Sequence, residues 1–214
     1  MNQNVIRGEN VKEYPKINSI FKRDEVTHKF LIGQWSQPEF EYLANNEWVF
    51  TEKVDGTNIR VVWSAEDKTV RFGGKTNNAQ IPTFLFSFLQ DTFLAERFVT
   101  LPSLCVYGEG YGAKIQKGGG NYKSDGVSFV LFDVLIDIWW LQRKDVEDIA
   151  NKLGVEIVPI IGHGKISDAI SLVQNELKSK WGDFQAEGLV LRPKIELFAR
   201  NGNRIITKLK YKDF

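Results

Sequence analysis

The longest apolar run of the chain, residues 127–141, is interrupted by Asp133 and Asp137. A helix that crosses a membrane needs about 20 consecutive apolar residues with few or no charges, so this run does not predict a membrane span. Its β-branched and aromatic residues instead predict a buried β-strand over 128–138. The polar first residues, MNQNVIRGENVKEY, lack the apolar segment of a secretory signal. We therefore expect a protein that is neither exported nor inserted in a membrane.

The composition is that of an ordinary globular protein. Hydrophobic residues make up 43% and charged residues 26% of the 214 residues, which is close to the globular average. The formal net charge is only +1, so any contact with nucleic acid must come from local clusters of basic residues. A single cysteine, Cys105, and two histidines exclude an intramolecular disulfide and a Cys/His zinc site. These counts suit a reducing, cytoplasmic location.

Strand and helix patterns alternate along the chain and predict an α+β fold with mainly antiparallel sheets. The segment 47–63 has the pattern of two strands joined at a tight turn, Asp55-Gly56, and therefore predicts a hairpin. The other predicted strands are 69–72, 104–107, 189–191 and 204–211, and the predicted helices are 82–98, 142–153 and 167–181.

Lys53 has the setting that most strongly suggests chemistry. It lies in EKVDGTN, at the predicted turn and ahead of an acidic residue and a glycine, a position that presents a lysine as a nucleophile. A lysine must lose a proton before it attacks, and nearby cations lower its pKa. The strand 204–211 carries Lys208 and Lys210, and Lys212 follows it, so that the three lysines occupy every second position and are expected on one face. Folded against Lys53, that face would activate the lysine and hold a phosphate; an ordinary hairpin lysine and a solvated basic edge strand explain the same residues without chemistry.

Two glycine-rich segments match phosphate-binding loops only in part. GEGYG, at 108–112, lacks the strand-to-helix context and the full spacing of a dinucleotide fingerprint. GGKT, at 73–76, would need a glycine at position 69 to complete a P-loop, and that position is Thr69. Neither a dinucleotide site nor a P-loop nucleotidase is therefore predicted.

Five segments occur in the order of motifs I, III, IIIa, IV and V of the covalent nucleotidyltransferases, which comprise DNA ligases, RNA ligases and mRNA capping enzymes. They are EKVDGTN at 52–58, VYGEGYG at 106–112, FVLFDVLI at 129–136, EGLVLRP at 187–193 and ITKLK at 206–210. An ordered series of five is far more specific than any one motif. Glu52, Asn58 and the stretch GEGYGAKIQKGGG most resemble the catalytic domain of the RNA ligase 2-like branch of ATP-dependent RNA ligases. Asp55 instead matches the superfamily at large, because the best-known members of that branch have histidine there.

The resemblance implies a nucleotidyltransferase fold in which two mainly antiparallel sheets, flanked by helices, enclose an ATP groove. Lys53 would attack the α-phosphate of ATP, release pyrophosphate and form a lysyl-AMP intermediate. Lys208 and Lys210 would hold the α-phosphate oxygens, and Glu187 would bind a divalent cation, Mg²⁺ or Mn²⁺. From the sequence alone, Glu187 is also explained as a surface glutamate at the start of a strand.

The same resemblance assigns further residues to the nucleotide. Glu109 resembles the glutamate that binds the ribose hydroxyls, Phe132 the aromatic residue that stacks on adenine, and Lys75 a basic residue near the acceptor strand. Without the resemblance, Glu109 has the pattern of a loop residue and Phe132 that of a core residue. Strand alternation places Asp133 on the opposite face from Phe132. The complete nucleotide set is Glu52, Asp55, Asn58, Lys75, Glu109, Phe132, Lys208 and Lys210.

The implied reaction joins RNA ends. AMP would pass from Lys53 to an RNA 5′-phosphate, and a 3′-hydroxyl would then displace it, in a nicked duplex. We expect one nucleotidyltransferase domain over 1–214, with its motifs at 52–210 and no appended C-terminal domain. Three explanations stay open for this: a minimal ligase, a shortened chain, or a protein partner in place of that domain. The alternatives are a DNA ligase, a GTP-using capping-type transferase, and a catalytically silent nucleotide- or RNA-binding module.

Overall fold

The computed structural model describes residues 12–214. We predicted the absence of an export signal from the polar N-terminal residues 1–14. Most of these residues lie outside the described part of the chain. The chain folds as two compact units: a middle unit of residues 12–15 and 55–157, and a flanking unit of residues 16–54 and 158–214. That both units work as one nucleotidyltransferase domain stays a prediction.

Within residues 12–214 the chain forms thirteen β-strands and five α-helices. The strands are β1 Asn18–Ser19, β2 Phe21–Arg23, β3 Phe30–Trp35, β4 Trp48–Glu52, β5 Thr57–Ser64, β6 Thr69–Gly73, β7 Leu104–Gly112, β8 Val127–Ile136, β9 Trp139–Trp140, β10 Glu156–Ile157, β11 Ile160–Gly164, β12 Gly188–Pro193 and β13 Thr207–Lys210. The helices are α1 Pro38–Tyr42, α2 Thr83–Thr92, α3 Gly119–Tyr122, α4 Arg143–Leu153 and α5 Ile166–Gln174, with short 3₁₀ turns at Ala95–Phe98 and Tyr211–Asp213.

The sheet of the middle unit has the strand order β10-β8-β7-β5-β6, with β9 paired to β8. Its neighbours are antiparallel except for β10 and β8. Ile59, Val61 and Leu131 belong to a core that the apolar side chains of α2 and α4 complete on one face of the sheet. Successive residues of a strand point to opposite faces, so Asn58 and Arg60 lie on the other face, which we call the outer face.

The sheet of the flanking unit has the strand order β1-β13-β12-β4-β11. Only β1 and β13 run parallel, while the other neighbours are antiparallel; β2 and β3 form a separate antiparallel pair. Phe50, Leu189 and Leu209 pack with apolar residues of α5 in the core of this unit. The expected α+β architecture, with two mainly antiparallel sheets and flanking helices, is confirmed.

The hairpin predicted over 47–63 is wrong, although both of its strands exist. β4 lies between β12 and β11, whereas β5 lies between β7 and β6 in the other sheet. Gly56 does not serve a hairpin turn: a Cβ at this position would lie 2.3 Å from the carbonyl oxygen of Gly110. The glycine therefore allows the chain to pass close against β7, a need that leaves the same sequence signal as a turn.

The helix predicted over 167–181 begins and ends earlier, at Ile166–Gln174. Lys165 occupies the N-cap position, and its backbone N–H donates to the Asp168 carboxylate at 2.8 Å. Glu176 has a φ of +55°, a left-handed conformation that ends helical propagation. The residues that follow pair with each other, as the bridge between Lys178 and Gln185 shows.

Three other predicted elements have altered bounds. The helix predicted over 82–98 is α2 followed by a 3₁₀ turn. β7 continues through GEGYG to Gly112, so Glu109 lies in a strand rather than a loop. β13 ends at Lys210, and Lys212 lies in the 3₁₀ turn that follows. Only Lys208 and Lys210 therefore share a strand face.

The apolar run 127–141 folds as two antiparallel strands, β8 and β9. Asp137, one of the aspartates that interrupt the run, lies in the turn between them with a φ of +54°. The strand predicted over 128–138 is thus confirmed with slightly different bounds. Within residues 12–214 the longest helix, α4, has 11 residues, about half the length that crosses a bilayer.

Candidate active site

Lys53, Glu187 and Lys210 come together because of the strand order in the flanking unit. Lys53 directly follows β4, Glu187 directly precedes β12, and Lys210 ends β13. Since β12 is antiparallel to both neighbours, its beginning lies beside their ends. Backbone hydrogen bonds fix this register: the Lys53 N–H donates to the Gly188 carbonyl at 2.9 Å, and the Tyr211 N–H donates to the Glu187 carbonyl at 3.0 Å.

The Glu187 carboxylate bridges the two lysines. Its Oε2 lies 2.5 Å from Lys53 Nζ, and its Oε1 lies 2.6 Å from Lys210 Nζ. All three side chains are mostly buried, with exposures of 21% for Lys53, 13% for Glu187 and 19% for Lys210, so solvent screens their charges only partly. A neighbouring carboxylate favours the charged form of a lysine. Lys53 must therefore leave this ion pair before its nitrogen can attack.

Gly188 is required by this geometry. Its φ is +155°, and a Cβ here would lie 1.9 Å from the Leu209 carbonyl oxygen. Any other residue would push β12 away from β13, and with it Glu187 away from Lys210. The glycine of EGLVLRP thus allows the close approach that brings the carboxylate to the lysine.

Lys208 lies on the same face of β13 as Lys210, two residues earlier. Its side chain is half-buried, and its backbone pairs with Val190 of β12. The flanking unit therefore presents two lysines in contact with one glutamate, and a third lysine on the same strand face as Lys210. Such an excess of positive charge is suited to binding phosphate oxygens.

Glu52 contacts protein rather than open space. Its carboxylate accepts hydrogen bonds from Ser179 Oγ at 2.6 Å and from the Lys180 backbone N–H at 2.8 Å. Burial raises the pKa of Glu52, and these two hydrogen bonds lower it by less. The observed role of Glu52 is to anchor the segment that follows α5, while its assignment to the nucleotide stays a prediction.

Asn58 and Glu109 are directly opposite each other on β5 and β7. Cross-strand partners project from the same face with their Cβ atoms about 5 Å apart, so both lie on the outer face of the middle sheet. Within the described part of the chain, Asn58 Oδ1 is buried and has no hydrogen-bond partner. Native proteins rarely leave a buried polar atom unsatisfied, which makes this oxygen a candidate ligand contact.

Phe132 and Asp133 project from the same face, and our expectation of opposite faces is wrong. The register between β7 and β8 shifts here, so that Tyr107 pairs with Asp133 and Gly108 with Leu131. This β-bulge leaves Phe132 as an extra residue. One residue, Tyr14, contacts both: its hydroxyl donates to Asp133 Oδ2 at 2.8 Å, and its ring centroid lies 5.0 Å from that of Phe132.

Tyr14 is the centre of an aromatic cluster on the outer face. Besides Phe132, its ring contacts Tyr107 and Trp140, with centroid distances of 5.1 and 5.5 Å. The Tyr107 hydroxyl donates to the Lys12 carbonyl at 2.6 Å, so the segment 12–15 is attached at more than one point. Phe132, which periodicity assigned to the core, is half-buried in this cluster.

Asp55 and Lys75 occupy two different loops of the middle unit. Asp55 Oδ2 accepts a hydrogen bond from the Gly118 N–H at 3.2 Å. Lys75 is exposed, in a loop that Arg60 holds through bonds to the Gly74 carbonyl at 2.8 Å and to Asn77 Oδ1 at 3.0 Å. The contacts within residues 12–214 do not join Lys75 to the other predicted nucleotide residues.

Sequence reasoning missed two residues of the outer face. Tyr14 lies outside the motif series, and no periodic pattern pointed to it. Arg60 was visible as the one charge in the strand TNIRVVWS, and a 3% exposed arginine is a signal that it holds something in place.

Comparison with known proteins supports the same superfamily. A model of the RNA ligase family matches residues 46–210, which is more than half of the chain and includes all the motif segments. Among solved structures, the Naegleria gruberi RNA ligase with PPi aligns with a TM-score of 0.62 at 22% identity, covering 98% of this chain and 60% of that one. A lysine-to-alanine mutant of that ligase with ATP and Mn aligns with a TM-score of 0.63 at 20% identity, covering 95% and 59%.

These structural matches establish the fold, and the chain spans about three fifths of the length of the ligases it matches. The family match extends over the segments that supply Lys53, Glu109, Phe132, Glu187 and Lys210. The chain therefore belongs to the RNA ligase family.

Proposed function

We propose that the chain is the nucleotidyltransferase of an ATP-dependent RNA ligase and that Lys53 carries AMP between ATP and RNA. The contact among Lys53, Glu187 and Lys210 is the observation that carries the proposal. It joins a candidate nucleophile, a cation that can hold a phosphate, and a carboxylate. Membership of the RNA ligase family supports RNA as the substrate.

In the first step, the Nζ lone pair of Lys53 attacks the α-phosphorus of ATP. A phosphorus–nitrogen bond forms, the bond to the bridging oxygen breaks, and pyrophosphate leaves. Lys53 must first separate from Glu187 and lose a proton, which can pass to water because 21% of the side chain is exposed. Lys210 and Lys208 then neutralise the negative charge on the phosphate oxygens.

A divalent cation, Mg²⁺ or Mn²⁺, is part of the proposal, with Glu187 as its ligand. Within residues 12–214, no group of three or more His, Cys, Asp or Glu side chains is arranged to hold a metal ion. A Mg²⁺ bound by one carboxylate and by substrate phosphates needs no such group, so Glu187 fits a cation shared with ATP. Both Glu187 oxygens now contact lysines, so at least one lysine must move when the cation binds. The bound cation would neutralise charge on the phosphates.

The adenosine is assigned to the outer face of the middle sheet. Phe132 would stack on adenine, Glu109 would accept hydrogen bonds from the ribose hydroxyls, and Asn58 Oδ1 would gain the partner that it lacks among the described residues. Asp55, Lys75 and Glu52 belong to the same proposal.

The next two steps concern the RNA. A 5′-phosphate oxygen attacks the phosphorus of lysyl-AMP, the phosphorus–nitrogen bond breaks, and a 5′–5′ pyrophosphate linkage forms. A 3′-hydroxyl then attacks the RNA phosphate, forms the phosphodiester and releases AMP. We propose a nicked duplex as the substrate, with a protein partner that helps to hold the strands.

Sealing assays test this function. Wild-type protein with ATP and Mg²⁺ is expected to seal a nick flanked by RNA and to be slower on a matched all-DNA nick. Lys53→Ala should fail to seal the 5′-phosphate RNA but should still seal RNA that already carries the 5′-adenylyl group, because only the first two steps need the lysine nitrogen.

Three outcomes would contradict the proposal. Sealing of the 5′-phosphate substrate by Lys53→Ala would remove Lys53 as the nucleophile. Exclusive sealing of the DNA nick would make the protein a DNA ligase. Binding of ATP or RNA by a folded wild-type protein that seals neither substrate would favour a silent binding module.

A further inference from the structure

The connection between β7 and β8, residues 113–126, carries a local excess of positive charge. It contains Lys114, Lys117 and Lys123, which are all exposed, and one acidic residue, Asp125. The whole chain has a formal net charge of only +1, so this excess is a local feature. We call residues 113–126 the lysine loop.

The lysine loop is attached to the body of the middle unit. Its ends are joined by a hydrogen bond from the Ala113 N–H to the Gly126 carbonyl at 2.9 Å. Ile115 is 3% exposed and belongs to the core of the unit, and Tyr122 is buried with its ring 5.9 Å from that of Tyr111. A loop with joined ends and its own buried side chains is a compact Ω-loop, a kind that is frequently functional.

Two residues of the lysine loop have an uncommon backbone conformation. Lys114 and Gln116 have φ values of +66° and +55°, in the left-handed region that side chains other than glycine rarely adopt. These two exposed residues flank the buried Ile115. Strained residues of this kind persist only where the surroundings enforce them, and they concentrate at functional sites.

The lysine loop is also held by Asp55 of the same unit. The Gly118 N–H donates to Asp55 Oδ2 at 3.2 Å, and Asp55 follows Lys53 by two positions in the sequence. Gly119 packs so closely on β7 that a Cβ would lie 2.4 Å from the Gly112 carbonyl oxygen, whereas a Cβ on Gly120 would meet nothing within 4 Å. Gly119 thus allows the loop to pack closely on β7, and Gly120 leaves the backbone at its position accessible to a ligand.

We propose that the lysine loop binds the phosphodiester backbone of the RNA to be sealed. The proposal rests on the proposed function, because it assigns that substrate to a surface outside the Lys53–Glu187–Lys210 contact. Charge complementarity carries it: lysine binds phosphate as a point charge, and such contacts fix the position of a strand without reading its sequence.

A triple variant, Lys114→Gln, Lys117→Gln and Lys123→Gln, tests the lysine loop. The matched control is Lys68→Gln, Lys144→Gln and Lys152→Gln, which removes three exposed lysines from the same unit. Lys68, like Lys114, has a positive φ. The control therefore also replaces one lysine whose backbone is strained, as the triple variant does. Lys117→Gln alone serves as a second variant, because its backbone is not strained in this way.

RNA binding is measured without ATP, on a nicked RNA duplex over a range of salt concentrations. Each lost phosphate contact makes the slope of log K against log salt shallower by roughly 0.7 to 0.9. The triple variant is therefore expected to lose about 2 to 3 units of slope and at least tenfold in affinity at low salt, and the control is expected to lose neither. Lys117→Gln should lose about one unit of slope.

Lys53 adenylylation by ATP is measured on the same proteins and should change less than twofold in the triple variant. An unchanged slope and affinity for RNA would overturn the proposal. Loss of adenylylation together with RNA binding would also overturn it, because the loop would then serve ATP. A wild type that binds RNA but never becomes adenylylated contradicts the proposed ligase function alone, since the binding measurement does not need that reaction.

Discussion

The flanking unit and the middle unit carry different kinds of side chain for the proposed nucleotide. The flanking unit supplies charge, with Lys53 and Lys210 in contact with Glu187. The middle unit supplies an aromatic ring and neutral or acidic hydrogen-bonding groups, with Phe132, Asn58 and Glu109 on one face of its sheet. We therefore propose that reaction at the phosphate depends on the flanking unit and binding of the nucleoside on the middle unit. Variants of the two units should therefore separate kcat from KM.

The largest effect is expected for Lys210→Ala, in the flanking unit. Removing one positioned charge from a phosphoryl-transfer site should lower the rate of lysyl-AMP formation by about 10²- to 10³-fold, with a smaller change in the KM for ATP. Single-turnover labelling with radioactive ATP measures both. Lys212→Ala, a neighbouring exposed lysine, is the control and should react normally. Equal losses in lysyl-AMP formation and in sealing of pre-adenylylated RNA would instead indicate a structural role for Lys210.

A smaller effect of the opposite kind is expected for Phe132→Ala, in the middle unit. Loss of base stacking should cost about 1 to 3 kcal/mol, or roughly a five- to 150-fold increase in the KM for ATP, with kcat changed less. Phe132→Tyr should restore most of the affinity because it keeps the ring. Phe84→Ala, at a position 44% exposed in the same unit, should leave KM unchanged. A fall in kcat with no change in KM would contradict the proposed division between the units.

Tyr14→Phe sharpens the comparison within the middle unit. The substitution keeps the ring against Phe132 and removes one hydrogen bond from the buried Asp133, so it should lower the free energy of unfolding by about 1 to 3 kcal/mol. Denaturant titration measures this loss, and ATP titration measures KM, which should rise less than in Phe132→Ala. Tyr14→Ala should raise KM more than Tyr14→Phe. Equal KM values in the two Tyr14 variants would show that the ring does not position Phe132.

The smallest effect is expected for Glu52→Gln, and it depends on pH. Burial raises the pKa of Glu52 in the folded protein above its ordinary value of 4.5, so the folded state holds this proton more tightly than the unfolded state. Glu52 therefore contributes stability at pH values below its pKa in the unfolded state, and this contribution is lost as pH rises through its pKa in the folded state. The difference between the two unfolding free energies, wild type minus Glu52→Gln, should therefore fall as pH rises above about 4.5 and then level off. A difference that rises with pH would contradict the assigned direction.

Sequence and structure agree best where several residues constrain the same element. The strand at 128–138 was predictable from its β-branched and aromatic residues, and the helix at 142–153 from its helical pattern. Gly154 ends α4 with a φ of +66°. The motif series identified Lys53, Glu187 and Lys210 as candidate site residues. It did not predict their contact, because the contact depends on the order of β4, β12 and β13 in the sheet, which no local sequence pattern contains.

Three differences have identifiable physical causes. Asp55-Gly56 has the signal of a hairpin turn, but Gly56 is needed for close approach to the Gly110 carbonyl. The bulge at Phe132 breaks strand alternation and cannot be read from residue types. Tyr14 reaches the outer face from a distant part of the chain, and a long-range contact of one residue leaves no periodic trace in the sequence.

Intact-protein mass spectrometry tests the central claim most directly. Wild type and Lys53→Ala are incubated with Mg²⁺ and each of ATP, GTP and NAD, after treatment with pyrophosphate to remove any AMP already bound. The account predicts a gain of one AMP by the wild type with ATP and no gain by Lys53→Ala. A gain of GMP with GTP alone would place the protein with the capping-type transferases. An AMP adduct on Lys53→Ala, or no adduct on the folded wild type with any donor, would contradict the claim that Lys53 is the nucleophile of an ATP-dependent ligase.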